Sequence, residues 1–297
     1  MDWFAFALLS PAFWGINNIF YKFLMTKKFQ GYYSMIIYLN FIDLIFAGIV
    51  CVVSPISFQL PYAVFAMLVG VMPVLSFWFY SKALLVEEIS RITPLFQFIP
   101  IFVVMLSMVF LGEILSAQKY LGIALIVATS LLVSYRKSEN GGSLSSAFKW
   151  MMPFCVILSV YNVFNKYLLA YIDSWSVFFW MMVGSFFAVL VMLGFSKPRK
   201  EFSETVQHDW KTKFVSTVTC EGLYFLGTIC SLIAMSGGYV SIVSALSGLQ
   251  YFFVFLFMVV LSLFVPQFLK EEIHRKAVAL KAVAVVLMFV GTWILTV

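Results

Sequence analysis

Two carboxylates, Glu221 and Asp43, stand alone in long apolar runs. A charged side chain at the centre of a bilayer costs at least about 2.5–3.5 kcal/mol, so such a residue is a functional candidate by default. Glu221 lies about eight residues into the run from Phe214 to Met235, roughly 12 Å deep at helical rise. Tyr224, Thr228 and Ser231 follow it at helical spacing and form one semi-polar stripe. Chemistry open to Glu221 is uptake and release of a proton or binding of a cation; the alternative is a Glu paired to an interior Lys or Tyr for packing. Asp43 is near the middle of its run, one turn from Asn40. It is either a second proton-coupling group or an Asp satisfied by Asn40 or a neighbouring helix.

Amides and lysines form a second set. Asn17 with Tyr21, and Asn18 with Lys22, are four apart and stack on one helical face. Tyr161 with Asn165, and Asn162 with Lys166, repeat the arrangement. Lys22 and Lys166 can act as gates or anion anchors, or can snorkel to the headgroups. Gln97 and Gln250 are single amides in apolar surroundings and are expected to line a solute site. Ser241, Ser244 and Ser247 make a ladder before Gln250 that serves either close helix packing or a cavity wall. Among many aromatics, Trp14, Tyr80, Tyr224 and Tyr251 are candidates for a box around a cation or planar solute.

The elements that hold these residues follow from composition. The 297 residues are 63% hydrophobic and only 11% charged, with mean hydropathy +1.01. A soluble domain carries about 25% charged residues, so the chain is expected to be an all-α integral membrane protein, multi-pass in the cell membrane. Apolar runs give ten spans: Trp3 to Leu24, Tyr32 to Val53, Pro61 to Leu84, Ile89 to Leu111, Gln118 to Tyr135, Phe148 to Ala170, Trp175 to Phe195, Phe214 to Met235, Tyr239 to Phe264 and Ala277 to Val297. Residues 136–147 read as a linker between halves 1–135 and 148–297, and Ser196 to Lys213 as a second linker-like stretch. Val265 to Lys276 is polar enough for a short interfacial helix. Pro94 and Pro100 can break span four and leave carbonyls that only protein or a cavity could tolerate.

Little room is left for an enzyme. Neither Gly-x-Ser-x-Gly nor His-Glu-x-x-His occurs, the two histidines (His208 and His274) fall in expected loops, and no phosphate-binding Gly-x-x-x-x-Gly-Lys-Ser/Thr is present. No cofactor or metal is expected. Cys51, Cys155, Cys220 and Cys230 lie inside apolar runs without zinc-type spacing and read as small buried side chains. The net charge of +6 belongs to membrane flanks rather than to a nucleic-acid surface. All but Lys119 and Lys166 of the 19 Lys and Arg flank the connections after spans one, three, five, seven and nine. By the positive-inside rule the odd loops are cytoplasmic and both termini outside.

An internal repeat is visible. Asn18-Ile19-Phe20-Tyr21-Lys22 returns as Asn162-Val163-Phe164-Asn165-Lys166, and Ala83 and Ser90 are echoed by Ala234 and Ser241. Five spans per copy is an odd number, so the second copy enters the membrane inverted, as in many secondary transporters. Loops that are basic in one half have nearly uncharged counterparts in the other.

The run Phe13-Trp14-Gly15-Ile16-Asn17-Asn18-Ile19-Phe20-Tyr21-Lys22 resembles the first-span motif of EamA-type members of the drug/metabolite transporter superfamily. Ser90-Arg91-Ile92-Thr93-Pro94-Leu95 through Pro100-Ile101 to Phe110-Leu111-Gly112-Glu113, and then Gln118-Lys119-Tyr120-Leu121-Gly122-Ile123, are similar to that family's fourth and fifth spans. The resemblance covers residues 1–135 well and weakens from Phe148. There the first-span Trp-Gly is absent, Phe268-Leu269-Lys270-Glu271-Glu272 replaces Leu-Gly-Glu, and Lys281 stands near a usual glycine. It implies ten transmembrane helices as two inverted five-helix repeats. It also implies transport of small solutes, commonly export, by alternating access around a midplane cavity. Many members are assigned with termini inside, whereas the charges here point the other way.

The expected solute is a small polar or amphipathic metabolite such as an amino acid or amine, with protons as a candidate coupling partner. The expected assembly is a monomer or weak homodimer in the lipid bilayer. The competing readings are a lipid or lipid-headgroup flippase, or a passive channel, on the same fold.

Overall fold

The computed structural model describes residues 3–29, 31–86, 92–134, 147–207, 210–250, 252–254, 256–257, 283, 286–287 and 289–295. Among these residues all regular structure is helical. Helix α1 (Trp3–Phe23) runs into a π-helical turn, Leu24–Lys28. Then come α2 (Tyr32–Val53), α3 (Tyr62–Val86), a 3₁₀ segment (Thr93–Gln97) leading into α4 (Phe98–Phe110), and α5 (Ala117–Ser134). After the expected linker follow α6 (Phe148–Leu168), α7 (Ser174–Leu193), α8 (Ser196–Gln207), α9 (Trp210–Gly237) and α10 (Val240–Leu246), which ends in a 3₁₀ turn, Ser247–Leu249.

Five helices among the described residues are long and apolar enough to cross a membrane: Trp3–Tyr21, Tyr32–Val53, Tyr62–Ala83, Ser174–Leu193 and Lys213–Gly237. They fall on expected spans one, two, three, seven and eight. Shorter apolar helices, Leu95–Phe110, Ala117–Thr129 and Val240–Val254, fall on spans four, five and nine. Residues 135–146 of the linker region, Val265 to Lys276, Tyr251, His208, His274, Lys281 and most of span ten lie outside the described residues.

Two expectations are corrected. Ser196 to Lys213 is not a linker: Ser196–Gln207 is helical. Its polar composition hid a narrow inward face of Pro198, Phe202 and Thr205, while Lys197, Arg199 and Lys200 point outward. Within span nine the backbone tightens to 3₁₀ at Ser247–Leu249. Cys51 is exposed, unlike the buried Cys155, Cys220 and Cys230; a thiol on an apolar helix can face lipid as readily as protein. The break expected at Pro94 is present as the 3₁₀ segment that begins at Thr93.

The helices form two compact units, Met1–Trp78 with Phe164–Gly237, and Phe79–Val163 with Gly238–Val297. Each draws on both halves of the sequence, and α3 and α6 contribute residues to both. In the first unit α1 packs along α9. Trp3 lies against Gly237, Trp14 against Gly227 and Asn17 against Cys220, so the two helices run antiparallel. Helix α2 packs on α7, α8 and α9. Helices α3 and α7 cross backbone to backbone: a methyl group on Gly70 would collide with the Met181 carbonyl, and one on Gly184 with the Met67 carbonyl. Small residues permit such crossings in membranes, where packing rather than hydrophobic exclusion holds helices together.

The second unit is centred on Ala83, Ile92, Ala147, Met151, Phe154 and Cys155. Its own glycine crossing joins α5 to residues 289–295, where Gly122 meets the Gly291 carbonyl and Gly291 meets Ile126.

The α3–α7 crossing gives a direct test. Gly184→Val should lower thermal stability in detergent by about 1–3 kcal/mol, the usual cost of overpacking. Gly48→Val should leave the melting temperature nearly unchanged, because nothing lies within 4 Å of a Cβ built there.

Candidate functional site

Within the first unit, α2 and α9 bring the two isolated carboxyl groups together. Asp43 and Glu221 are within hydrogen-bonding reach of each other, and both are buried, at 8% and 6% exposure. Two carboxyl groups hydrogen-bond only if a proton lies between them, so the pair holds at least one proton whenever that bond is made. Asn40 Nδ2 donates to the Ile36 carbonyl at 2.9 Å, one turn back on α2. Among the described residues it is Asp43, rather than the Lys or Tyr the sequence left open, that meets Glu221. Asp43 Oδ1 is buried without a hydrogen-bond partner among the described residues.

Neighbouring side chains set the surroundings of the pair. From α1, Asn17 Nδ2 donates to the Cys220 carbonyl at 2.7 Å and lies 3.3 Å from Cys220 Sγ, beside Glu221 in sequence. On the other side Phe225, one turn beyond Glu221, stacks on Phe46 with ring centroids 5.2 Å apart and meets Phe178 edge-on at 5.2 Å. The stripe expected on α9 exists as a buried face: Thr217, Glu221, Thr228 and Ser231 are buried, and Tyr224 is half-buried. Thr228 Oγ1 is a further buried atom without a partner among the described residues.

The other first-unit candidates divide. Trp14 is half-buried and its indole lies on Gly227, which leaves room for it by having no side chain. Asn17 is buried while Asn18 is exposed, so adjacent amides of the motif face opposite ways. Tyr21 stacks on Phe77 with centroids 5.6 Å apart. The Lys22 side chain lies outside the described residues. Asn165 is buried with its Oδ1 lacking a partner among the described residues. Lys166 Nζ donates to the Met235 carbonyl at 2.6 Å, in the last turn of α9, where the helix dipole favours a cation.

The second unit holds Tyr80, Gln97, Asn162 and Gln250, and Tyr251 is outside the described residues. Tyr80 packs against Phe96 and Phe154, at 5.5 Å from each ring, and is part of the apolar core there. Gln97 is buried with its Oε1 unpartnered among the described residues. Gln97 ends one 3₁₀ segment and Gln250 directly follows the other. Asn162 is half-buried on α6.

Sequence reasoning missed the role of Glu113. Gly112, at φ +66°, turns the chain after α4, and the Glu113 side chain then reaches the start of α10. Its Oε1 accepts from the Val240 amide at 2.9 Å, and its Oε2 from the Ser241 amide at 3.2 Å and the Ser241 hydroxyl at 2.8 Å. Ser107 Oγ meets Ser241 Oγ at 2.6 Å. A carboxylate there satisfies orphan amides and complements the helix dipole. The Leu-Gly-Glu sequence was visible; its distant partner was not. The serine ladder is thus partly structural: Ser241 is engaged by Glu113, Ser247 Oγ donates to the Ser244 carbonyl at 2.6 Å, and Ser244 Oγ is buried without a partner among the described residues.

With only helices and turns among its described residues, five of the helices membrane-length and apolar, and with buried polar side chains, the chain is an integral membrane protein. Residues 1–135 match the model of the EamA-like transporter family, a family of membrane transporters within the drug/metabolite transporter superfamily. Members of the family are generally transporters rather than enzymes, and they bind small-molecule solutes. A crystal structure of another protein aligns with 99% of this chain and 96% of its own, with a TM-score of 0.70 and 16% identity; the likeness is one of fold. No curated protein matches the sequence significantly.

The carboxyl pair makes its own prediction. Asp43→Leu leaves Glu221 buried without its partner, whereas Asp43→Asn keeps an amide that can donate to it. Thermal unfolding in detergent should show Asp43→Leu less stable than Asp43→Asn by roughly 1–3 kcal/mol. Equal stability would mean that the two groups do not depend on each other.

Proposed function

We propose that this chain is a proton-coupled secondary active transporter that exports a small polar or amphipathic metabolite by alternating access. In this reading ten transmembrane helices form two inverted five-helix repeats, residues 1–135 and 148–297, with residues 136–147 joining them. The chain sits in the cell membrane with odd loops cytoplasmic and both termini outside, as a monomer or weak homodimer. The observation that carries the proposal is the buried Asp43–Glu221 pair. Two carboxyl groups sharing a proton inside membrane-length helices cost stability that packing alone does not require. They also provide a group whose protonation can change as access alternates.

Other features support the reading. The 3₁₀ segments Thr93–Gln97, which ends in a glutamine, and Ser247–Leu249, which Gln250 follows, support the reading of a duplicated design. Interrupted helices near corresponding places in two halves are a pointer to solute sites in such transporters. The unpartnered atoms of Asn165, Thr228 and Gln97 offer hydrogen bonds to a polar solute. Trp14, Asn17, Asn18, Tyr21, Tyr80, Asn162, Tyr224, Gln250 and Tyr251 complete the proposed solute-binding set. Lys22 and Lys166 are the proposed gate residues, with Lys166 acting through its hold on the carbonyl end of α9.

The solute class is found by a thermal-shift screen of amino acids, amines, nucleotide sugars and phosphorylated metabolites. A ligand at 100 times its dissociation constant adds about 2.7 kcal/mol of stability. In proteoliposomes the wild type should show saturable counterflow of the hit and accumulation driven by a pH gradient. Glu221→Gln should keep counterflow, which needs no net proton movement, and lose the pH-driven accumulation. Unchanged pH dependence in Glu221→Gln sinks the coupling role. Movement of labelled lipid without any soluble solute would favour the flippase.

A further inference from the structure

Helix α8 has 12 residues, about 18 Å at helical rise, well short of the roughly 30 Å of a hydrocarbon core. It does not cross the membrane with the helices it touches. Its inward face packs on α2, α7 and α9. Phe202 stacks on Phe41 of α2 at 5.7 Å, and Glu201 is drawn so close to Gly31 that a methyl group there would meet the carboxyl carbon at 2.9 Å. Lys213 Nζ, on α9, donates to the Thr205 carbonyl at 3.3 Å near the end of α8. These contacts hold α8 at the level where α2 begins and α9 enters.

The outward face of α8 is basic. Lys197, Arg199 and Lys200 are exposed, and Lys197 Nζ stands 5.7 Å over the ring of Tyr33 in the first turn of α2, a contact that favours a fixed cation. The π-helical turn Leu24–Lys28 packs against α2 and α9 and brings the exposed Lys27 and half-buried Lys28 to the same end of this unit. Opposing them are Glu201, half-buried against Gly31, and the exposed Glu204. Apolar side chains flank the cations: Phe195 just before α8 is 65% exposed, and Val206 in its last turn 40%. A short helix with a packed apolar face, an outward basic face and exposed apolar residues at its ends has the form of an element lying in the membrane interface.

We propose that Lys197, Arg199 and Lys200 of α8, with Lys27 and Lys28, form a binding surface for the phosphodiester headgroup of an anionic phospholipid, with Phe195 and Val206 set toward its acyl chains. The chemistry selects the ligand. An Arg presents a planar fork matched to phosphate oxygens, the lysines add point charges, and the flanking apolar groups suit a lipid and not a free anion. This surface is separate from the Asp43–Glu221 pair and goes beyond the transport reading; it stands or falls whatever solute is carried.

The experiment uses the full chain in phosphatidylcholine nanodiscs doped with spin-labelled phosphatidylglycerol or spin-labelled phosphatidylcholine. The motionally restricted lipid fraction is read by electron paramagnetic resonance. Wild type should restrict phosphatidylglycerol in excess over phosphatidylcholine, and K197Q/R199Q/K200Q should lose that excess. In 1 M salt, where the Debye length falls to about 3 Å, the wild-type excess should also collapse. Lys27→Gln should reduce it in part, which keeps the test decisive if the triple variant does not fold. An excess that survives both the triple substitution and high salt overturns the proposal, as does a wild type with no preference. Displacement of the labelled lipid by millimolar glycerol 3-phosphate would identify a free-phosphate site instead, and would equally overturn it.

Discussion

A carboxyl group inside a bilayer has to be answered by another polar group, and here Glu221 is answered by Asp43. Much of the first unit can be read as the means of bringing these two side chains together away from water. Helix α9 carries Glu221, and α2 runs beside it in parallel: Asp43 meets Glu221, and one turn on Phe46 meets Phe225. Helix α1 runs antiparallel along α9, locked by the Asn17 contact with Cys220 and by the seat that Gly227 makes for Trp14. A larger residue at Gly227 would push α1 off α9 and carry Asn17 away from the carboxyl pair. Packing and polar chemistry are therefore one arrangement here.

A second constraint is that backbone groups freed by a broken helix must find partners where water is scarce. At the end of α9 and at the start of α10 the chain supplies charge of the appropriate sign. The last turn of α9 receives the ammonium of Lys166 at the Met235 carbonyl. The first amides of α10 receive the carboxylate of Glu113. A cation at a carboxyl end and an anion at an amino end both follow the helix dipole. Without them, the break between α9 and α10 would leave unsatisfied carbonyls and amides.

Much of the helical framework was legible because apolar run length and the positions of Pro and charge decide membrane helices almost alone. Pro94 announced the 3₁₀ segment at Thr93–Gln97 through the amide hydrogen it lacks. Ser247–Leu249 tightens to 3₁₀ with no proline to announce it. Helix α8 was hidden by composition: polar residues on its exposed face outweighed the few that pack, and only the spacing of Pro198, Phe202 and Thr205 carried the signal. Glu221 and Asp43 were each visible as costly residues in apolar runs. Their pairing was not, because a single sequence gives the depth of a residue but not which helices lie side by side. The same limit concealed Glu113, whose partners are 127 and 128 residues away.

Lys166 shows how a charge within a span can be drawn into the structure of the protein. Its place in the repeated Asn-Val-Phe-Asn-Lys motif left a gate or anion anchor on one side and snorkelling on the other as rival readings. The bond to the Met235 carbonyl directs it inward, onto the end of the helix that carries Glu221. A cation held there stabilises the carbonyl end of α9 most when that end has no other partners. The bond ties α6 to the carbonyl end of α9, the same helix that carries Glu221.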